Sequence, residues 1–300
     1  MNQPSHIELR GFFKLTAVNA DTGEERFLGE FENLLLDGGL NGCGTAQMMA
    51  ACAVGSGSTA PIVTNTQLEN LINSTTNRIA QTIGGDASGY GWIRTTYQFA
   101  AGSAAGNISE IGIGNTATNL LSRTLIKDGS GNPTSITVLS NEYFNVQYEV
   151  RGYPPAADVT FNATIQGVIY ACVIRPCLIG TSAWAPWFMF NVATTHSGDH
   201  ADGDDVELYD GDIGPMTGRP SGSSYGVGQI VYSGYVNNSL SVSAITPPIG
   251  LDAANFSTGI KSIEFGTSCG RWQCSFTPPI PKDNTKTLAL NLSASWSRKS

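Results

Sequence analysis

The sequence predicts an all-β protein: antiparallel, β-sandwich-like domains with long loops and very little helix. Three observations predict it. Strict apolar/polar alternation recurs along the chain, turn residues cluster between the alternating runs, and charge is scarce. The 16 Lys+Arg and 24 Asp+Glu make up only 13% of 300 residues, about half the usual share of roughly 25%. Ser, Thr, Asn and Gly fill the deficit, with 35 Gly and 14 Pro in the chain. A coiled coil would need abundant Glu, Lys, Leu and Ala. A hydrophobic fraction of 41% and a net charge of −8 suit a packed core rather than a disordered chain. The same acidic balance argues against a nucleic-acid partner, because phosphates require a basic face.

Each element follows from its own pattern. Alternation marks Phe12 to Val18 and Phe27 to Leu35, and Asp21-Thr22-Gly23 between them reads as a hairpin turn. Thr45 to Ala53 carries helix-forming residues. Thr66-Gln67-Leu68-Glu69 has capping-box spacing ahead of Leu71-Ile72, predicting one or two helical turns after Thr66. Alternation returns at Trp92 to Phe99, and Asp128 to Pro133 is a second turn cluster between strand-like runs. It is strictest where Phe144, Val146, Tyr148 and Val150 alternate with Asn145, Gln147, Glu149 and Arg151, placing one row on a core face. Gly152-Tyr153-Pro154-Pro155 stops that strand, since proline cannot continue a ladder. The predicted domains are therefore 1–154 and 155–300. In the second, Gln166-Gly167 splits Val159–Ile165 from Val168–Ile174 as a third hairpin, and 180–250 reads as elaborated loops. Ile260 to Phe265 and the row Leu288, Leu290, Leu292, Ala294, Trp296 complete the strands.

The opening residues Met1 to His6 lack the basic and apolar regions of a signal peptide, and no apolar run approaches the ~18 residues of a membrane span. The expectation is a chain made in the cytoplasm, with no membrane insertion. Cys43, Cys52, Cys172, Cys177, Cys269 and Cys274 lack zinc-ribbon spacing. They read as buried free thiols, with a four-thiolate site from the last four as the alternative.

Three constellations carry chemistry. His196, Asp199, His200, Asp202, Asp204 and Asp205 form an acidic, histidine-bearing loop, followed by Glu207, Asp210 and Asp212. Oxygen-rich loops hold Ca²⁺, but the order here is not that of an EF-hand. No helix frames the His pair as zinc requires. The plain reading is a solvated acidic loop, with an ion or receptor contact as the sharper one. Trp184 and Trp187 lead an aromatic run that suits either a packed core or the stacking face of a saccharide contact. Gly222-Ser223-Ser224-Tyr225-Gly226 matches G-x-S-x-G without the strand before and helix after that a nucleophile elbow needs. No catalytic residue, resident metal or cofactor is expected.

A series of segments resembles tailed-bacteriophage tail-fibre and baseplate structural proteins. Glu32 to Asn41 (ENLLLDGGLN) is similar to a segment near the N-terminus of many of them, and Val54-Gly55-Ser56-Gly57 to the V-G-x-G that follows. Phe99 to Gly102, then Asn107-Ile108-Ser109-Glu110-Ile111-Gly112-Ile113-Gly114, Leu121-Ser122-Arg123, Ile136 to Leu139 and Tyr148 to Arg151 continue in the same order. Pro279 to Lys282 leading into Thr287 to Leu290 resembles their closing strands. The resemblance covers most of 27–153 and part of 278–298, and fades across 180–250. It implies a non-enzymatic virion component of the tail fibre or baseplate, with residues 1–154 as the attachment region. The implied partners are two further copies in a homotrimer, other virion proteins and a host-surface glycan or protein. A collar or head-decoration role and a stand-alone carbohydrate-binding module are the alternatives. A depolymerase would need a repetitive β-helix, and no such repeat is visible in the sequence.

Overall fold

The computed structural model describes residues 4–45, 49–184, 205–267 and 269–299. The first half contains β1 (Pro4–Asn19), β2 (Glu25–Leu35), helix α1 (Asp37–Gly44), β3 (Ala51–Gly55), β4 (Leu71–Thr75), β5 (Arg78–Asp86), β6 (Tyr90–Phe99), β7 (Gly106–Ile108), β8 (Glu110–Thr116), β9 (Asn119–Leu125), β10 (Ile136–Val138) and β11 (Glu142–Tyr153). The second contains β12 (Val159–Ile165), β13 (Val168–Pro176), a 3₁₀ turn (Ser182–Trp184), β14 (Asp205–Tyr209), β15 (Ser224–Gln229), β16 (Val231–Tyr232), β17 (Ser241–Ile245), β18 (Ile260–Thr267), β19 (Gly270–Ile280) and β20 (Asn291–Arg298). The protein is all-β.

Two compact units emerge, and neither is a contiguous segment. One comprises 9–83, 93–151 and 298–300, and the other 1–8, 84–92 and 152–297. The crossing at 151/152 lies close to the boundary expected after Pro154. The crossings at 8/9, 83/84, 92/93 and 297/298 have no turn or linker signal, because they fall inside or beside strands.

In the first unit the strand order is β5-β6-β11-β1-β2-β9-β8-β3-β4. Its two end strands, β4 and β5, are consecutive in the chain, so the sheet curls back on itself. The seam is bridged by the Thr75 hydroxyl donating to Gln98 O (3.1 Å) and by Gln98 N donating to Asn77 O (3.0 Å). Inside this curled unit Phe13 packs on Tyr148 and Phe31 at ring distances of 4.9 and 6.2 Å, and Phe99 on Phe144 at 5.9 Å. The alternating row of β6 buries every second residue, and β11 does so too except that Glu149 of its other row is also buried, paired with Arg94 and Arg151.

Phe27 departs from its row. A register shift after Leu15 pairs Thr16 with Phe27, skipping Leu28, and the bulge turns Phe27 to the outer face, where it is 61% exposed.

Both helix expectations are corrected where the structure describes them; residues 46–48 of the first lie outside the described residues. Ala51 to Ala53 belongs to strand β3, with Cys52 and Ala53 fully buried between β8 and β4. No helix follows Thr66. The Glu69 carboxylate, instead of capping a helix, accepts from Ser58 N (2.8 Å), Thr59 N (2.7 Å) and the Thr59 hydroxyl (2.7 Å). Among the described residues the α-helix is α1, which contains four glycines, a poor helix composition. Packing explains it: a Cβ on Gly39 would lie 2.2 Å from Leu121 O of β9, so only glycine permits this approach. Arg298 secures its start, donating to Leu35 O (2.7 Å) and to the Asp37 carboxylate (2.8 Å). The turn cluster 128–133 closes a local bridge between Lys127 and Pro133, but the strand that follows, β10, pairs with β7 rather than β9.

The second, loop-bearing unit holds a six-stranded sheet ordered β12-β13-β19-β18-β14-β15, and β16-β17-β20 followed by the first residues of β1. The hairpin at Gln166-Gly167 forms as expected, with both turn residues at positive φ (49° and 81°), the geometry of a tight hairpin turn. Residues expected to be loop between 205 and 250 supply four strands, β14 to β17.

Candidate functional site

Within the loop-bearing unit, β14 leads into a loop of residues 210–223 that returns as edge strand β15. This loop is fastened at several points. Asp210 accepts from Ser223 N (2.7 Å), Ser262 donates to Gly211 O (2.7 Å), and the Cys177 thiol donates to Gly218 O (3.2 Å). The buried Gln273 amide accepts from Gly214 N (2.7 Å) and donates to Pro215 O (3.0 Å) and Pro176 O (3.1 Å). A Cβ on Gly211 would sit 2.2 Å from Ser221 O, so the two sides of the loop touch through their backbones.

Beneath the loop lies a charged cluster. Register places Glu207 of β14 directly opposite Glu264 of β18, an unfavourable pair unless neutralised. Arg271 of β19 donates to Glu264 at 2.8 Å, both side chains being nearly inaccessible. Arg219 of the loop stands 3.6 Å from Glu264 and 3.8 Å from Glu207. The Tyr209 hydroxyl lies between the carboxylates, 2.6 Å from Glu207 and 3.1 Å from Glu264. Burial alone would raise Glu207, but hydrogen bonds from Ser224 and Tyr209 and the charges of Arg219 and Arg271 leave it below the ordinary carboxylate range. Burial and then the neighbouring Glu207 push the Tyr209 hydroxyl upward. Neither shift brings its group toward neutrality, where a general acid or base works best. The arrangement suits holding a loop in a fixed shape.

The expected contact residues fall unevenly on this frame. His196, Asp199, His200, Asp202, Asp204 and Trp187 lie outside the described residues. Asp205 opens β14, half-buried and paired in register with Gln229. Trp184 corrects its assignment as a receptor contact: it is fully buried, its ring 2.9 Å from where a Cβ on Gly270 would stand. The core reading of that tryptophan holds. No group of three or more His, Cys, Asp or Glu side chains that could hold a metal occurs among the described residues. The six thiols are free and buried. Ser224, the serine of the G-x-S-x-G match, opens strand β15 rather than a helix.

A second cluster, missed from the sequence, lies in the curled unit. Glu110 of β8 and Arg123 of β9, 0% and 3% exposed, pair through 2.8 and 3.0 Å hydrogen bonds. Glu110 also accepts from the backbone amides of Gly57 (3.0 Å), Glu69 (3.1 Å) and Asn70 (2.8 Å). Arg123 reaches Asn65 Oδ1 (2.7 Å) and Thr59 O (3.1 Å). One ion pair thus pins the long connection between β3 and β4 from both ends. A Cβ on Gly55 would stand 2.5 Å from Asn70 O, and one on Gly57 2.4 Å from the Glu110 carboxylate, which explains the glycines of Val54-Gly55-Ser56-Gly57. Glu110, Arg123, Gly55 and Gly57 all fall in segments already singled out in the sequence, Val54-Gly55-Ser56-Gly57, Asn107 to Gly114 and Leu121-Ser122-Arg123. No family model, no curated protein and no solved structure matches this chain.

Proposed function

We propose that the chain is a non-enzymatic structural component of a tailed-bacteriophage virion, at the tail fibre or baseplate, working in assembly and in contact with the host surface. The observation that carries this reading is the meeting of the resembling segments in one interlocked structure. Gly55, Gly57, Glu110 and Arg123 share a single buried network, while Gly39 of the Asp37-Gly38-Gly39-Leu40 segment packs against Leu121. Segments that need one another structurally would be retained together, in order, as a unit. The exposed apolar side chains Leu71 and Ile72 on β4 and Ile79 on β5, the two end strands of the curled sheet, suit a subunit that completes its packing in an assembly.

Light scattering on the purified chain, with and without EDTA, tests the assembly. A stable oligomer of three times the chain mass, indifferent to chelation, is the expected result. A monomer at all concentrations would remove intrinsic trimerisation. Mass spectrometry of density-banded particles from the source culture tests the location, and absence of the chain from them would overturn the virion reading.

A further inference from the structure

The loop-bearing unit has a groove of about 620 Å³ between the segment preceding β18 and the segment following β19. Its volume lies within the roughly 300–1,000 Å³ of small-molecule sites. Asn255, Phe256, Thr258, Lys282, Asp283 and Asn284 contribute to its walls. Amide and hydroxyl groups, with the Asp283 carboxylate held by Thr285, surround a half-buried phenyl ring, a lining suited to a ligand with one apolar face and many hydroxyls.

Lys282 is the unusual member. It is only 5% exposed, and its ammonium donates to Gly250 O (2.8 Å) and Asn255 Oδ1 (3.0 Å), both neutral acceptors. An ammonium has three protons to place, and these bonds use two. The adjacent Asp283 does not neutralise it by contact. That carboxylate is taken by Thr285 N (2.9 Å) and the Thr285 hydroxyl (2.5 Å), and lies 3.8 Å from Lys286. A buried cation without a contacting counter-ion is costly, and an anionic group supplied by a ligand would offset that cost.

We propose that this groove is a binding site for a carboxylated sugar. The third Lys282 proton takes the carboxylate, Asn284 and Thr258 serve ring hydroxyls, and the C–H face of the sugar stacks on Phe256. The site rests on its own geometry, and applies equally to a virion component and to a free binding module.

Saturation-transfer NMR and calorimetry on the full chain test this. Glucuronate, galacturonate and N-acetylneuraminate are the probes, glucose and N-acetylgalactosamine the neutral controls, and acetate and inorganic phosphate the bare anions. At least one carboxylated sugar should bind, with the neutral sugars about tenfold or more weaker, as loss of a charged hydrogen bond predicts. Lys282→Met should abolish the preference for the carboxylated form. Because that residue is buried, Phe256→Ala and Asn284→Ala provide variants on the groove wall, each expected to weaken binding severalfold with the fold intact by circular dichroism. Failure of all three carboxylated sugars to bind the folded chain would overturn the proposal. So would acetate or phosphate binding as tightly as the sugars, or unchanged affinity in Phe256→Ala.

Discussion

The two units contain the same device and use it differently. In the curled unit Glu110 is in register with Leu125, and its partner Arg123 stands two residues before that position. In the loop-bearing unit Glu264 is in register with Gln273, and its partner Arg271 again stands two residues before. Each is a diagonal Glu–Arg pair across an antiparallel hairpin, a spacing that long side chains span. Glu110 spends its remaining acceptor capacity on three backbone amides, so its pair locks a connection in place. Glu264 faces a second carboxylate, a tyrosine and the 41%-exposed Arg219, so its pair balances charge beneath a surface loop. Identical local geometry thus gives a sealed clamp where the surrounding donors are main-chain, and a partly open one where they are side chains.

The largest expected effect breaks the sealed clamp. Glu110→Ala leaves Arg123 buried without its carboxylate and three amides without an acceptor, and should cost about 3–5 kcal/mol in urea unfolding. Arg271→Ala should cost less, near the lower end of that range of about 3–5 kcal/mol, because Arg219 remains 3.6 Å from Glu264. Equal losses would mean that the difference between the clamps has no energetic content. Gly39→Ala should cost roughly 1–3 kcal/mol, since helix α1 must move off Leu121 O, and an unchanged melting temperature would contradict that packing.

The smallest effect is in acid. The carboxyl of Glu207 is held below its unfolded range, so its contribution is complete above the unfolded value of about 4.3 and fades as pH falls through the folded one. Glu207→Gln should therefore separate from the parent protein at neutral pH and approach it as pH falls below the unfolded carboxyl value of about 4.3. Parallel melting curves across that range would show that the open clamp stores no charge-dependent stability.

The strand rows were legible because period two depends only on neighbouring residues. Phe144 to Val150 and Leu288 to Trp296 bury the side predicted. Phe27 was not legible, since its orientation depends on a bulge that exists only once β1 and β2 pair. Glu69 followed Thr66 at capping-box spacing, yet its carboxylate went to Ser58 and Thr59, donors that no local pattern places beside it. Of the expected contact residues, Trp184 was ambiguous in sequence, because an aromatic run reads the same for a core as for a stacking face. Its burial against Gly270 decided it.

The sequence by itself determined the all-β class, the principal strand faces and the hairpin at Gln166-Gly167, all consequences of side-chain alternation and backbone preference over short spans. Tertiary structure alone decided the discontinuous units, the glycine-rich helix α1, the two Glu–Arg clamps and the Lys282 groove. Each of these depends on which strands become neighbours, and hence on which buried donors and acceptors come within about 3 Å of one another.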